Sequence, residues 1–365
     1  MSAAGLVLFD PAGTAHSRNV LQGLTDAAVD LPLTIVSREP PVAAADRSVT
    51  WRECSTPGQL VRTADRRRYR RALVDALAAR PEGAVFCDLG LGRTVSSRGP
   101  RIRLVGPTVF IGHQSNAIDE HERLGRAERS ANRRVLRDLC RQDARFVVHT
   151  ARMRDRLLEY TAADRIVVSG WPVVAAADPC LGAGWDPRPE GVSLLFAGSV
   201  RREKGLLELV EALAHVDGYD RLVVPGRLGA GVRRDLGATT DPRIVLEDAF
   251  LDAAEYRARF AECALAVLPY TRRYVDHGIF SSVLAETMAY GRPMVVSEHL
   301  TELLPPGYRG AVVAAPGAAG LAAAIDDAIA QLPALTEAAM TVGRAFAAER
   351  FTYERYLAAI LRAAS

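Results

Sequence analysis

The stretch "VSLLFAGSVRREKGLLELVEAL", residues 192–213, decides the fold. Its opening apolar run has the length of a buried strand and is too short for a buried helix. Gly198 and Ser199 break the run, and a basic loop follows with Arg201, Arg202 and Lys204. Gly205 then opens a segment whose apolar residues Leu206, Leu209, Val210 and Leu213 recur at helical spacing. Strand, glycine turn and helix make half of a βαβ unit, and the same alternation extends in both directions.

Downstream, strands are expected at 221–226, 243–248, 264–270, 292–297 and 309–314, with helices at 252–262 and 281–290 and alanine-rich helices after them. Upstream, "GLVLFD" (5–10), "LPLTIVS" (31–37), "GAVFCD" (83–88), "PTVFIGH" (107–113), "ARFVVH" (144–149) and "RIVVSG" (165–170) read as strands. Helical patterns at 17–30, 65–80, 119–142 and 151–160 separate most of them. Strands alternating with helices imply parallel sheets covered on both faces. Residues 173–190 are rich in proline and glycine and form the expected linker. The fold class is therefore α/β, with two doubly wound domains at 1–172 and 191–345 facing across a cleft. Ligands in such folds bind outside the carboxyl ends of the strands.

The chain has 365 residues, 49% of them hydrophobic, and a net charge of +3. Nearly balanced charge argues against a nucleic-acid binder, whose basic excess would cluster. Cys54, Cys87, Cys140, Cys180 and Cys263 are scattered and odd in number. They read as reduced thiols of a cytoplasmic protein and not as a disulfide framework or zinc site. No run of about 18 apolar residues marks a membrane span. The arginines in 66–71 and 126–141 form either a solvated face or a patch for an anionic membrane.

Chemistry concentrates in two places. In "HGIFSSVLAETMAYGRPMVVS" (277–297), Gly278, Ile279, Phe280, Ser281 and Ser282 precede or open a helix, whose free N–H groups and dipole suit a phosphate. Glu286 lies one turn above Ser282, placed to accept hydrogen bonds from ribose hydroxyls. The bland alternative makes the serines caps and Glu286 a surface acid. In the 192–213 stretch, Gly198, Ser199, Arg201 and Lys204 end a strand towards the cleft, where cations suit a diphosphate. Arg202 reads as solvated.

These motifs resemble those of nucleotide-sugar-dependent glycosyltransferases of the GT-B fold, most of all the retaining family 4. "GSVRREKGLLELVEAL" is similar to the family's diphosphate loop, with Lys204 on its lysine. "LPY…SSVLAETMAYGRPMVVS" is similar to its ribose motif, with Glu286 on the glutamate. The resemblance is strong over 192–298 and weak elsewhere. It implies a nucleoside diphosphate sugar, UDP- or GDP-linked, as co-substrate without a permanently bound cofactor. It also implies a final helix, 346–365, crossing back to the first domain.

Two departures stand out. Gly278 sits where the family often has a first glutamate, so the donor-sugar contact falls to backbone amides, Asp276, His277 or another group. Ser199 replaces the usual arginine, and Arg201 is the substitute.

On the acceptor side, the resemblance places Gly13 near the donor phosphates and His113 at an acceptor-site strand end, as positioner or base. Asp88 and His149 end neighbouring strands, and His16 either faces the cleft or begins the helix. The expected activity is metal-independent sugar transfer, with Lys204 and Arg201 neutralising the leaving diphosphate. The acceptor is a small molecule, lipid or glycan. An epimerase or hydrolase of the same fold and a non-catalytic partner subunit are the alternatives.

Overall fold

The computed structural model describes residues 5–11, 15–42, 48–56, 62–113, 125–185, 189, 191–237, 241–249, 251–276 and 279–365. Two compact units divide the chain: 1–175 with 277–280 and 352–365, and 176–276 with 281–351.

Unit 1 contains β1 (Leu6–Asp10), β2 (Leu33–Ser37), β3 (Val49–Glu53), β4 (Val85–Asp88), β5 (Thr108–Gly112), β6 (Arg145–Val148) and β7 (Ile166–Val168). They pair in parallel in the order β3-β2-β1-β4-β5-β6-β7. Because side chains alternate along a strand, β1 feeds two cores. Val7 and Phe9 pack with Phe86, Phe110 and Phe146 on one face. Leu6 and Leu8 pack with Cys87, Val109 and Ile111 on the other. The final helix, Tyr353–Ala364, covers that second face with Tyr356, Leu357 and Ile360. It lies against helix Ala15–Ala27 at Gly23, where a Cβ would come 2.3 Å from the Tyr353 ring.

Unit 2 repeats the winding. Its strands are β8 (Ser193–Leu195), β9 (Arg221–Pro225), β10 (Ile244–Glu247), β11 (Leu265–Leu268), β12 (Met294–Ser297) and β13 (Ala311–Ala314). The order β10-β9-β8-β11-β12-β13 is parallel throughout. Strand order reverses between β1 and β4 in unit 1 and between β8 and β11 in unit 2. Such switch points open a crevice at the carboxyl ends of the strands.

The structure corrects several expectations. The Pro/Gly segment after residue 175 packs as part of unit 2: Asp178 pairs with Arg257 at 3.1 Å, and the Trp185 indole donates to the Tyr290 carbonyl at 3.1 Å. The last helical stretch breaks at Phe351, so helix Arg344–Arg350 stays with unit 2 and only 352–365 join unit 1. Thr352 starts the new helix by accepting from Arg355 N at 3.4 Å. Edge strand β3, "VTWRE", is mostly exposed and so has no apolar run to betray it. Short helices Leu91–Ser96, Ala230–Leu236 and Arg272–Asp276 are too brief to show periodicity. The expected helix 119–142 is described as Arg126–Arg141.

All five cysteines are free, and burial raises each thiol, Cys140 to about 11 and Cys180 and Cys263 to about 12. Among the described residues no single helix is long and apolar enough to cross a membrane.

Candidate active site

The unit 2 switch point gathers the two chemical motifs. After β8 the chain turns at Gly198 with φ +87°. A Cβ there would lie 3.0 Å from both Lys204 Nζ and Val283 Cγ2, so glycine makes room for the lysine tip. Gly205 has φ +78°, and a Cβ would fall 2.1 Å from the Pro269 carbonyl oxygen. The loops after β8 and β11 are also tied directly: Thr271 N and Oγ1 donate to the Glu203 carbonyl at 3.0 and 3.1 Å.

Lys204 is only 6% exposed. Its ammonium lies 5.2 Å from the centre of the Tyr270 ring, within cation–π reach. It forms no ion pair among the described residues. Burial pulls its pKa down; Tyr274 and the Glu286 carboxylate oppose that shift, and Arg201 adds to it. A buried cation held this way is a preformed partner for an anion.

Glu286 projects from helix Ser282–Ala289 and accepts a hydrogen bond from Tyr256 Oη at 3.0 Å. Desolvation pushes its carboxyl up to about 7, against the Tyr256 hydrogen bond and the Lys204 charge. Ser281 is buried and caps this helix, accepting from Leu284 N at 3.2 Å. Capping therefore accounts for Ser281, while Ser282 is the first helical residue and its N–H has no intrahelical acceptor.

Arg201 and Ser199 are exposed on the same loop, and Arg201 pairs loosely with Glu203 at 3.3 Å. Arg202 pairs with Asp235, away from this chemistry. Asp276 sits 3.7 Å from Arg272. Gly13, His277 and Gly278 lie outside the described residues, and only the backbone of His16 is described. Ile279 and Phe280 group with unit 1, where Phe280 packs on the second core, 6.2 Å from the His149 ring.

The unit 1 switch point holds Asp88 and Asp10 at the ends of β4 and β1. Asp88 is fully buried and accepts from Gly90 N at 2.9 Å, Tyr69 Oη at 3.3 Å and Thr94 Oγ1. Burial raises its pKa to about 6 despite the bonds from Thr94 and Gly90. With these donors converging on it, Asp88 organises the turn. Arg93, on that turn, pairs with Asp10 at 3.1 Å and stays partly exposed. Sequence reading missed both, because neither belongs to a local motif and they are 83 residues apart.

His113 and His149 stack at 5.4 Å, and Trp171 meets their edges at 4.5 and 4.9 Å. The Leu89 carbonyl lies 2.7 Å from His113 Nε2. A carbonyl only accepts, so Nε2 carries a proton and donates it to Leu89. By the same logic His149 donates from Nδ1 to the Ser169 carbonyl at 3.1 Å and takes the Tyr356 hydroxyl at Nε2, 3.5 Å away. His149 is 5% exposed, and its two nitrogens are engaged inside the unit 1 core. Tyr256 and Tyr270 are further site residues that the motifs did not single out. Tyr270 closes the "LPY" of the quoted motif just beyond a strand end, and Tyr256 has no sequence signal beyond its place in a helix.

Residues 191–331 match the model of the family described as glycosyl transferases group 1. No curated protein matches the chain by sequence. Among solved structures, sucrose-phosphate synthase from Thermosynechococcus elongatus is 17% identical, with a TM-score of 0.71 over 97% of this chain and 96% of that one. HepE from Anabaena, in complex with UDP, is 13% identical with a TM-score of 0.67, covering 98% and 99%. A UDP-forming α,α-trehalose-phosphate synthase from Burkholderia xenovorans, in complex with glucose-6-phosphate, is 14% identical with a TM-score of 0.68, covering 98% and 99%. Such identities speak for the fold, and the family match speaks for the second unit. Residues 191–331 thus resemble the group 1 glycosyl transferases, and the whole chain shares the fold of these solved structures, two Rossmann-like units each built on a parallel sheet.

Proposed function

We propose that the protein transfers a glycosyl group from a nucleoside diphosphate sugar to a hydroxyl-bearing acceptor. The observation that carries this reading is the buried Lys204 beside Glu286 at the β8/β11 switch point. The bond from the sugar's anomeric carbon to the diphosphate oxygen breaks, and a bond to the acceptor oxygen forms. Negative charge builds on the departing diphosphate, where Lys204 and the exposed Arg201 neutralise it. The N–H groups opening helix Ser282–Ala289 add their dipole. Glu286, oriented by Tyr256, accepts hydrogen bonds from the ribose hydroxyls.

The acceptor's proton leaves to a departing phosphate oxygen or to a base. His113, at the end of β5, is the candidate for that base or for positioning the acceptor. Anomeric retention, a cytoplasmic location and a metal-independent mechanism belong to this reading. The UDP complex of HepE supports a uridine nucleotide as the first donor to test.

Glu286 makes the reading testable by pH. Its folded pKa is raised to about 7, so the carboxylate that accepts from ribose exists above that pH and is lost below it. UDP affinity, measured by calorimetry, should therefore fall roughly tenfold from pH 8 to pH 6 beyond any change due to the ligand. Glu286→Gln titrates the same ligand without the carboxyl and should remove that component. Tyr256→Phe, which deletes a bond to the charged form, should move the midpoint upwards. Absence of binding to UDP, GDP and their sugars at pH 8 would rule the proposal out.

A further inference from the structure

Helix Thr63–Ala78, the turn 97–102 and helix Arg126–Arg141 enclose a recess of about 520 Å³ in unit 1. Its charged lining is Arg70, Arg98, Arg101, Arg134 and Arg141 against the single carboxylate of Asp138. Arg101 occupies that carboxylate, donating from Nε and Nη2 at 3.2 and 2.8 Å.

The other cations form no ion pair among the described residues, although Asp138 acts on Arg70 and Glu128 on Arg98 from beyond that distance. Arg70 is 5% exposed, and it donates to Ser97 Oγ at 2.9 Å and to the carbonyls of Ser97 and Thr94 at 3.1 and 3.4 Å. Its Nη1 has no partner among the described residues. Arg98 likewise donates to the carbonyls of Val95, Ser96 and Ser97 and to Asn132 Oδ1. Arg134 and Arg141 are exposed and form no ion pair among the described residues. Burial, followed by repulsion from Arg98, pulls Arg70 down to about 10 against the pull of Asp138; burial and Arg66 pull Arg98 down as well, against Glu128. Withdrawing cations from water with carboxylates too few to balance them costs free energy that a bound anion would recover.

We propose that this recess is a second ligand site, for a soluble compound carrying a diphosphate or several phosphates. Planar guanidinium forks suit phosphate oxygens better than they suit carbonyls. A concave site with a buried arginine in its wall fits a compact ligand. Helix Arg126–Arg141 exposes no large apolar residue that would anchor it in a lipid interface. The site shares no residue with the nucleotide site of unit 2, so it stands or falls independently of the proposed transfer.

The test uses inorganic pyrophosphate at constant ionic strength, read by amide hydrogen exchange. Wild type should gain protection in 97–102 and 131–141. Arg134→Glu combined with Arg141→Glu alters only exposed side chains and should weaken that protection at least tenfold in pyrophosphate concentration. Lys204→Ala should leave it unchanged. No protection in these segments, or equal protection in the double variant, overturns the proposal. Co-sedimentation with phosphatidylglycerol vesicles separates the phosphate sources. Vesicle binding lost in the double variant, with no response to pyrophosphate, also overturns it and assigns the arginines to a lipid headgroup.

Discussion

Lys204→Ala should lower donor turnover by about 10²–10³-fold, the scale of removing one preorganised group that stabilises charge developing in a transition state. Release of nucleoside diphosphate from a UDP-sugar, with water or an accepted hydroxyl as acceptor, measures it. The size follows from the setting. Lys204 is 6% exposed and has no carboxylate neutralising it at ion-pair distance, so its field reaches a bound diphosphate little screened. Lys204→Met separates catalysis from architecture. It keeps an unbranched side chain of similar length, with its tip near the Tyr270 ring, and removes a desolvated charge, so thermal stability should equal or exceed that of wild type while turnover stays low. Lys204→Arg should not restore activity, because the space at the tip is bounded by the Gly198 backbone and Val283. Turnover within threefold of wild type in Lys204→Met would remove the lysine from the mechanism.

Gly205→Ala should destabilise unit 2 by about 3 kcal/mol, combining a left-handed backbone penalty with a backbone collision. The Cβ would sit 2.1 Å from the Pro269 carbonyl oxygen, and neither partner is a flexible side-chain tip. A loss of that size lowers a melting midpoint by roughly 6–12 °C for a domain of this scale. Gly307→Ala is the control. It shares the positive φ, +70°, with nothing within 4 Å of the added Cβ, so only the conformational term, about 1 kcal/mol, applies. Equal shifts for the two variants would show that the loop yields. A larger shift at Gly205 with nucleotide binding also weakened would show that the contact between the β8 and β11 loops sets the lysine's position.

Much of this was legible beforehand, for a physical reason. Buried parallel strands must be continuously apolar and their connecting helices amphipathic, so the alternation of runs such as "GLVLFD" and "LLELVEAL" declares an α/β fold from local composition alone. Lys204 and Glu286 were legible because each sits in a short local motif beside a strand end. Strand β3 was hidden because an exposed edge needs no apolar run, and the Pro/Gly segment was misread because composition does not say what a coil packs against. The sequence by itself thus determined the fold class and the two windings, and it singled out Lys204 and Glu286 as candidates.

Tertiary structure alone decided the rest. It brought Tyr256 to Glu286 across 30 residues and Arg93 to Asp10 across 83. It buried Lys204, fixed a proton of His113 on Nε2 through the Leu89 carbonyl, and closed five arginines around one recess. Burial, tautomer and unbalanced charge are properties of a side chain's surroundings, and distant parts of the chain supply those surroundings only once it has folded.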